Sequence, residues 1–170
     1  MGNRDRSVQK LALGGMLAAL IFVATSFFKL PVSLTQGYIH LGDGFILLGA
    51  SLLGGSTAIV AAALGSALAD LLGGYTIYIL PTFLIKGAVA VVAVQVFAKE
   101  RPLWAVLTGM VIAEAVMVLG YFLTEWLALG YGLAAAASAV FPNIVQGLSG
   151  VIIGAFLLPM IRRVKGILKM

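Results

Sequence analysis

Long apolar runs broken by short polar segments alternate along the whole chain. The first run extends from Leu11 to Phe28, 18 residues, close to the roughly 20 that an α-helix needs to cross a bilayer. KLPVSLTQGY at 29–38 carries a proline, a glycine and polar residues, and its length suits a lid more than a tight turn. Further spans are expected at about 79–98 and 103–123, divided by LysGluArg at 99–101 and Pro102. ThrGluTrp at 124–126 opens a loop that continues through GlyTyrGly at 130–132. A last helix over about 135–161 is expected to kink at Pro142.

Residues 39–73 are ambiguous, because 26 uncharged residues between Asp43 and Asp70 suit one long helix or two short ones. The LeuLeuGlyGlySer run at 52–56 is a natural break, since consecutive glycines disfavour helix and fit a tight turn. Charge decides the matter. With six spans, Arg4, Arg6, Lys10, Lys99, Arg101, Arg162, Arg163, Lys165 and Lys169 share one side, and only Lys29 lies opposite. With five, the basic C-terminus moves across. The positive-inside rule favours six helices with both termini cytoplasmic, the second and third at about 39–53 and 57–72. Ala58, Ala61, Ala62, Ala63, Gly65, Ser66, Ala67 and Ala69 make the third helix a candidate for burial among its neighbours.

Composition agrees with an all-α integral membrane protein forming one membrane domain over 1–170: 62% hydrophobic and 10% charged residues, with a mean hydropathy of +1.12. The charge of +5 gathers at the termini, which reads as membrane orientation and not as nucleic-acid binding. No cysteine is present, and His40 is the only histidine, so no metal site or Ser-His-Asp triad within the chain is expected. The basic N-terminus before an apolar run resembles a signal peptide, but no cleavage site precedes Lys29, and the run is read as a retained helix.

On this topology the polar groups inside the membrane collect in the outer half. The stretch DLLGGYTIYILPTFLIKG at 70–87 is its centre, with Asp70 ending one run, Lys86 inside the next, and Tyr75 and Tyr78 between. An ionisable group within a span costs at least a few kcal/mol, so it marks a partner or a task. Asp70 and Glu114 are the candidate partners of Lys86, while His40 and Asp43 are one turn apart and suit a local hydrogen-bonded pair. Asn143 and Gln146 follow Pro142 and have two uses, ligand contact or satisfying the carbonyl that the proline frees. Trp126 and Tyr131 read as interfacial aromatics. The candidate substrate-binding set is Lys86, Glu114, Asn143, Gln146, Asp70, Tyr75, Tyr78, Tyr121, His40 and Asp43. No GxxxxGK[ST], HExxH or GxSxG occurs, so binding without catalysis, ATP hydrolysis or a cofactor is expected.

A small-xxx-small step in the first helix, GYIHLGDGFILLGASLLGG at 37–55, ALADLLGGYTIYILPTFLIKG at 67–87 and PNIVQGLSG at 142–150 together suggest a family. The chain resembles the substrate-binding S components of energy-coupling factor (ECF) vitamin transporters, in the riboflavin/pyridoxine/hydroxymethylpyrimidine-like branch. That resemblance implies a multi-pass protein of a bacterial plasma membrane that binds a micronutrient at its outer face. It further implies a transmembrane coupling subunit and two ATPase subunits as partners, and transport by rotation of the whole S component in the bilayer. In this family an Ala-x-x-x-Ala step on the first helix docks on the coupling subunit. The matching steps here are Gly14 with Ala18 and Gly15 with Ala19, both beginning with glycine. Two other readings compete: a self-sufficient carrier coupling Glu114 and Lys86 to protons, and a structural membrane subunit. A pocket of one lysine, acids, amides and tyrosines suits a neutral or zwitterionic heteroaromatic compound.

Overall fold

The computed structural model describes residues 3–31 and 37–168, with the side chains of 3–6, 162 and 164–168 excepted. The middle of the 29–38 lid segment therefore lies outside the described residues, as do Lys165 and Lys169 as side chains. Six α-helices carry the fold: α1 (Asn3–Phe27), α2 (Gly42–Leu52), α3 (Gly55–Gly73), α4 (Ile79–Phe97), α5 (Leu103–Leu123) and α6 (Leu133–Leu168). Among the described residues, five of these segments are long and apolar enough to cross a membrane; α2, at 11 residues, is not by itself.

The turns are dictated by glycine. Gly54 and Gly55 both take positive φ (59° and 55°), a region that costs an L side chain energy but glycine nothing, and α2 stops where α3 starts. Gly74 closes α3 in the left-handed conformation (φ 81°), which turns the chain so that the N–H of Tyr75 reaches the Asp70 carbonyl at 2.9 Å.

α2 begins at Gly42, three residues later than the sequence suggests. Tyr38–Ile39 (β2) instead pairs antiparallel with Leu30–Pro31 (β1), Leu30 opposite Ile39 and Pro31 opposite Tyr38. The Gly42 N–H at the new helix start donates to His40 Nδ1 (3.0 Å), satisfying one of the donors that a helix N-terminus leaves open. A second difference follows α5. Thr124–Ala128, expected as the start of a loop, winds instead as a π-turn in which the Leu129 N–H reaches the Thr124 carbonyl at 2.8 Å. The wider winding carries Glu125 inward, where it is buried. α6 stays helical through both Pro142 and Pro159.

The small residues of α3 let its neighbours approach backbone to backbone: a Cβ on Gly65 would strike the Ala18 carbonyl of α1. Half of the α3 span is buried, against 22% of the α1 span, so α3 is the inner helix and α1 a peripheral one. The apolar core runs through Leu17, Ile21, Leu47, Val89, Met110 and Met117. The exterior is also apolar, with Leu11, Trp104 and Phe156 more than two-thirds exposed, as expected where lipid tails replace water.

Candidate functional site

The buried polar groups collect at the end of the bundle where α1 finishes and α6 begins, in two layers. The lower layer is centred on Asp43 in the first turn of α2. Lys86 Nζ of α4 donates to Asp43 Oδ1 at 2.6 Å, and Gln146 Nε2 of α6 donates to Oδ2 at 2.6 Å. Lys86 and Asp43 are both fully buried. The same Gln146 accepts the His40 backbone N–H on Oε1 (2.9 Å), so one amide ties α6 to the start of α2. Lys86 thus pairs with Asp43, and neither Asp70 nor Glu114 is its salt-bridge partner. His40 and Asp43 do not hydrogen-bond to each other either, because the imidazole caps Gly42 while the carboxylate turns to Lys86 and Gln146. Gln146 works across helices, not on its own backbone. Glu114 of α5 lies beside this layer, with neither carboxyl oxygen hydrogen-bonded. Room for it is left by α6 glycines, since a Cβ on Gly147 would come within 2.9 Å of Glu114 Cβ.

The upper layer is a narrow cleft with a cavity of about 20 Å³, room for roughly one water. Tyr38 and His40 form one wall, Asp70 and Tyr78 a second, Tyr121 and Glu125 a third, with Thr82, Ala139 and Asn143 between them. Each acid is held by a phenol: Tyr38 donates to Asp70 Oδ1 (2.6 Å) and Tyr78 to Glu125 Oε1 (2.9 Å). Asp70 Oδ2 is buried and has no hydrogen bond. Tyr121 shares a hydrogen bond with Thr82 (3.0 Å) and rests its ring 5.5 Å from Lys86 Nζ, which joins the cleft to the layer beneath.

Above the cleft, Lys29 Nζ donates to the Ala69 carbonyl (3.0 Å) at the end of α3. It also lies 4.4 Å and 5.0 Å from the ring centroids of Tyr38 and Tyr75, which pack against each other with centroids 4.4 Å apart and planes tilted by 45°. Burial pulls the lysine's pKa down, and Asp70 opposes that pull. Burial, and then the charge of Asp70, pushes the Tyr38 phenol up, so it remains a donor. Burial first and Lys86 second hold His40 down at about 3, so the imidazole facing the cleft is neutral at physiological pH.

Of the residues singled out from the sequence, His40, Asp70, Tyr78, Tyr121 and Asn143 line the cleft. Asp43, Lys86 and Gln146 form its floor support, Glu114 lies deeper, and Tyr75 backs Tyr38. Sequence reasoning missed Tyr38, Thr82 and Glu125 as lining residues. Glu125 had a signal: it follows Tyr121 by four positions, which on a helical continuation of α5 places both on one face.

The family model for the ECF-type riboflavin transporter S component matches residues 5–163, nearly the whole chain. The chain belongs to that family. This S component is accordingly a multi-pass plasma-membrane protein, the substrate-binding subunit through which an ECF transporter takes up a vitamin or vitamin precursor. It is 30% identical over 160 residues to the thiamine precursor transporter HmpT of Lactococcus lactis subsp. cremoris, covering 94% of this chain and 91% of HmpT. A protein of Pyrococcus woesei, described only by its place in the gap 3′ region, is 38% identical over 135 residues, 79% of this S component and 88% of that protein. The solved S component of a bacterial ECF transporter superposes with a TM-score of 0.75 over 96% of this chain and 99% of its own, at 23% identity. At that identity the likeness establishes the fold.

Proposed function

We propose that this S component binds a single-ring heteroaromatic precursor of the hydroxymethylpyrimidine class in the cleft between Tyr38, Asp70, Tyr78, Tyr121, Glu125 and Asn143. The carrying observation is the cleft itself: phenol faces for stacking, a buried Asp70 oxygen with no hydrogen bond, and an amide able both to donate and to accept. The thiamine precursor named for the Lactococcus relative fits that chemistry. The cleft is nearly closed, so entry requires the Tyr38–Asp70 contact to part. Lys86, Asp43, Gln146 and Glu114 act here by positioning Tyr121 and His40, and Tyr75 by backing Tyr38. Riboflavin, named by the family model, is the second reading, and its three fused rings demand a wider opening of the same contact.

The chain binds and does not catalyse. Its energy comes from a coupling subunit and two ATPases, with both termini of the S component on the cytoplasmic side. The docking step on α1 is Gly15 with Ala19. Gly14 is buried against Thr57 of α3, and the Ala18 carbonyl is covered by Gly65, whereas Gly15 faces open space and Ala19 is exposed.

Native mass spectrometry of the detergent-purified chain, followed by calorimetric titration with hydroxymethylpyrimidine, pyridoxine and riboflavin, tests the ligand. A co-purifying or tightly binding pyrimidine is the expected result. Riboflavin binding with no pyrimidine binding would replace the first reading by the second. Uptake that survives loss of the ATPases and collapses with the proton gradient would refute the ECF coupling.

A further inference from the structure

A second cavity, of about 460 Å³, lies outside the polar site, on the flank of the bundle toward the end where α1 finishes. It follows from how the short helix α2 is held. Leu17 and Thr25 of α1 occupy the places that side chains on Gly49 and Gly42 would take, and Ile153 of α6 occupies the place of one on Gly44. α1 and α6 therefore grip α2 from two sides, and the strip of chain between them at the start of α2 is recessed. Leu41 and Phe45 floor the resulting groove, Val23, Ala24 and Phe27 form its α1 wall, and Ile153 closes the far side.

Every side chain that lines this groove is aliphatic or phenyl, in contrast to the cleft. Water does not stably fill a cavity that offers it no polar partner, and a polar vitamin would forfeit its hydrogen bonds there. The groove opens sideways, with Val23 43% and Phe27 78% exposed. What faces such an opening on a membrane span is hydrocarbon, because lipid tails are the solvent at that depth. From Leu20 to Phe28 the α1 wall rises about 12 Å at about 1.5 Å per residue, most of one leaflet's share of a hydrocarbon core about 30 Å thick. An alkyl chain lying along that wall meets protein on three sides, whereas an empty groove would leave its lining without those dispersion contacts.

We propose that the groove between α1, α2 and α6 is a lipid site that holds one acyl chain of a phospholipid from the leaflet on the cleft side. The chain packs on the lipid-facing flank of the first turn of α2. The opposite flank of that turn carries Asp43 to Lys86 and Gln146, so the lipid braces the support beneath the cleft. This surface is separate from the vitamin site, and the inference stands whichever precursor binds there.

The test uses the full chain in nanodiscs of phosphatidylcholine with brominated acyl chains, in a background where Trp104→Phe and Trp126→Phe remove the native fluorophores. Phe45→Trp reports from the groove floor. Ile152→Trp reports from the open face of α6, where Ile152 is 67% exposed and adjoins the Ile153 that packs on Gly44. Quenching of Phe45→Trp is expected to be at least as strong as that of Ile152→Trp, although position 45 is recessed. Ala24→Phe fills the groove with protein and leaves no room for a chain beside it, so it is expected to halve the quenching at position 45, or better, and to leave that at position 152 unchanged. Val23→Phe, at the exposed rim, takes its place if Ala24→Phe does not yield folded protein. In detergent, added phosphatidylcholine is expected to raise the melting temperature of wild type saturably and that of the filled variant not at all.

Weaker quenching at position 45 than at position 152, or quenching at position 45 that filling the groove leaves unchanged, overturns the inference. Quenching at position 45 that falls as the protein-to-lipid ratio rises, while that at position 152 holds, assigns the groove to a second copy of this chain and also overturns it. An equal rise in melting temperature for wild type and filled variant does the same, since the stabilising lipid then binds elsewhere.

Discussion

Replacing Lys86 by methionine tests the arrangement beneath the cleft most directly. The substitution keeps length and apolar contact but removes the ammonium that Asp43 faces at 2.6 Å, with both side chains fully buried. Asp43 would then keep the Gln146 amide as its hydrogen-bond donor, in a layer packed between α2, α4 and α6. Removing one member of a buried ion pair typically costs about 3–5 kcal/mol, mostly because the survivor is left charged and unpaired. For a chain of this length that corresponds to a fall in melting temperature of roughly 6–20 °C. The same reasoning makes the double variant Lys86→Met/Asp43→Asn better than the single one, since no buried charge is then orphaned. Thermal melts in detergent of wild type, both single variants and the double variant close a cycle with an expected coupling of at least about 1.5 kcal/mol between positions 86 and 43. Cycles of Lys86→Met with Asp70→Asn and with Glu114→Gln should give smaller couplings. Coupling concentrated at Glu114 or Asp70, with none at Asp43, would refute the pairing on which the floor of the cleft depends.

Three further outcomes are expected. His40 is held near 3 in the fold against about 6.5 in the unfolded chain, so its contribution to stability is complete above about pH 6.5 and is lost progressively as pH falls toward 3. Melting temperatures between pH 7 and 4 should therefore fall less steeply in His40→Gln than in wild type, and equal slopes would contradict a buried neutral imidazole. Tyr38→Phe removes the phenol hydrogen bond to Asp70, worth about 1.5–3 kcal/mol when the acceptor is charged. The melting temperature in detergent should fall by roughly 3–12 °C, and an unchanged melting temperature would show that the phenol does not hold Asp70. Gly15→Trp places bulk on the open face of α1 and should abolish ATP-dependent uptake in vesicles while leaving ligand binding intact; unaffected uptake would move the docking surface elsewhere.

Much of the architecture was legible because it is local. Apolar runs of span length, the Gly54–Gly55 break and the glycines after Asp70 act through nearest neighbours along the chain, and most helix ends stand within a few residues of those signals, although α1 starts at Asn3, well before the expected Leu11, and α6 runs on to Leu168, past the expected end at 161. The gathering of polar residues toward one end was also readable, since depth along a helix follows from counting 1.5 Å per residue. Partnerships were not readable. Lys86 lies 43 positions from Asp43, and Gln146 is 106 positions from His40; such contacts depend on how far each helix is rotated and displaced against the next. That rotation is set by the close approaches at Gly65 and Gly147, which no local pattern encodes. The π-turn that brings Glu125 inside belongs to the same class, because a single extra residue in one turn moves a side chain from the rim to the lining. The sequence by itself determined a helical membrane protein with its polar residues at one level. The tertiary structure alone decided which of them form the cleft, which support it, and which step on α1 remains open.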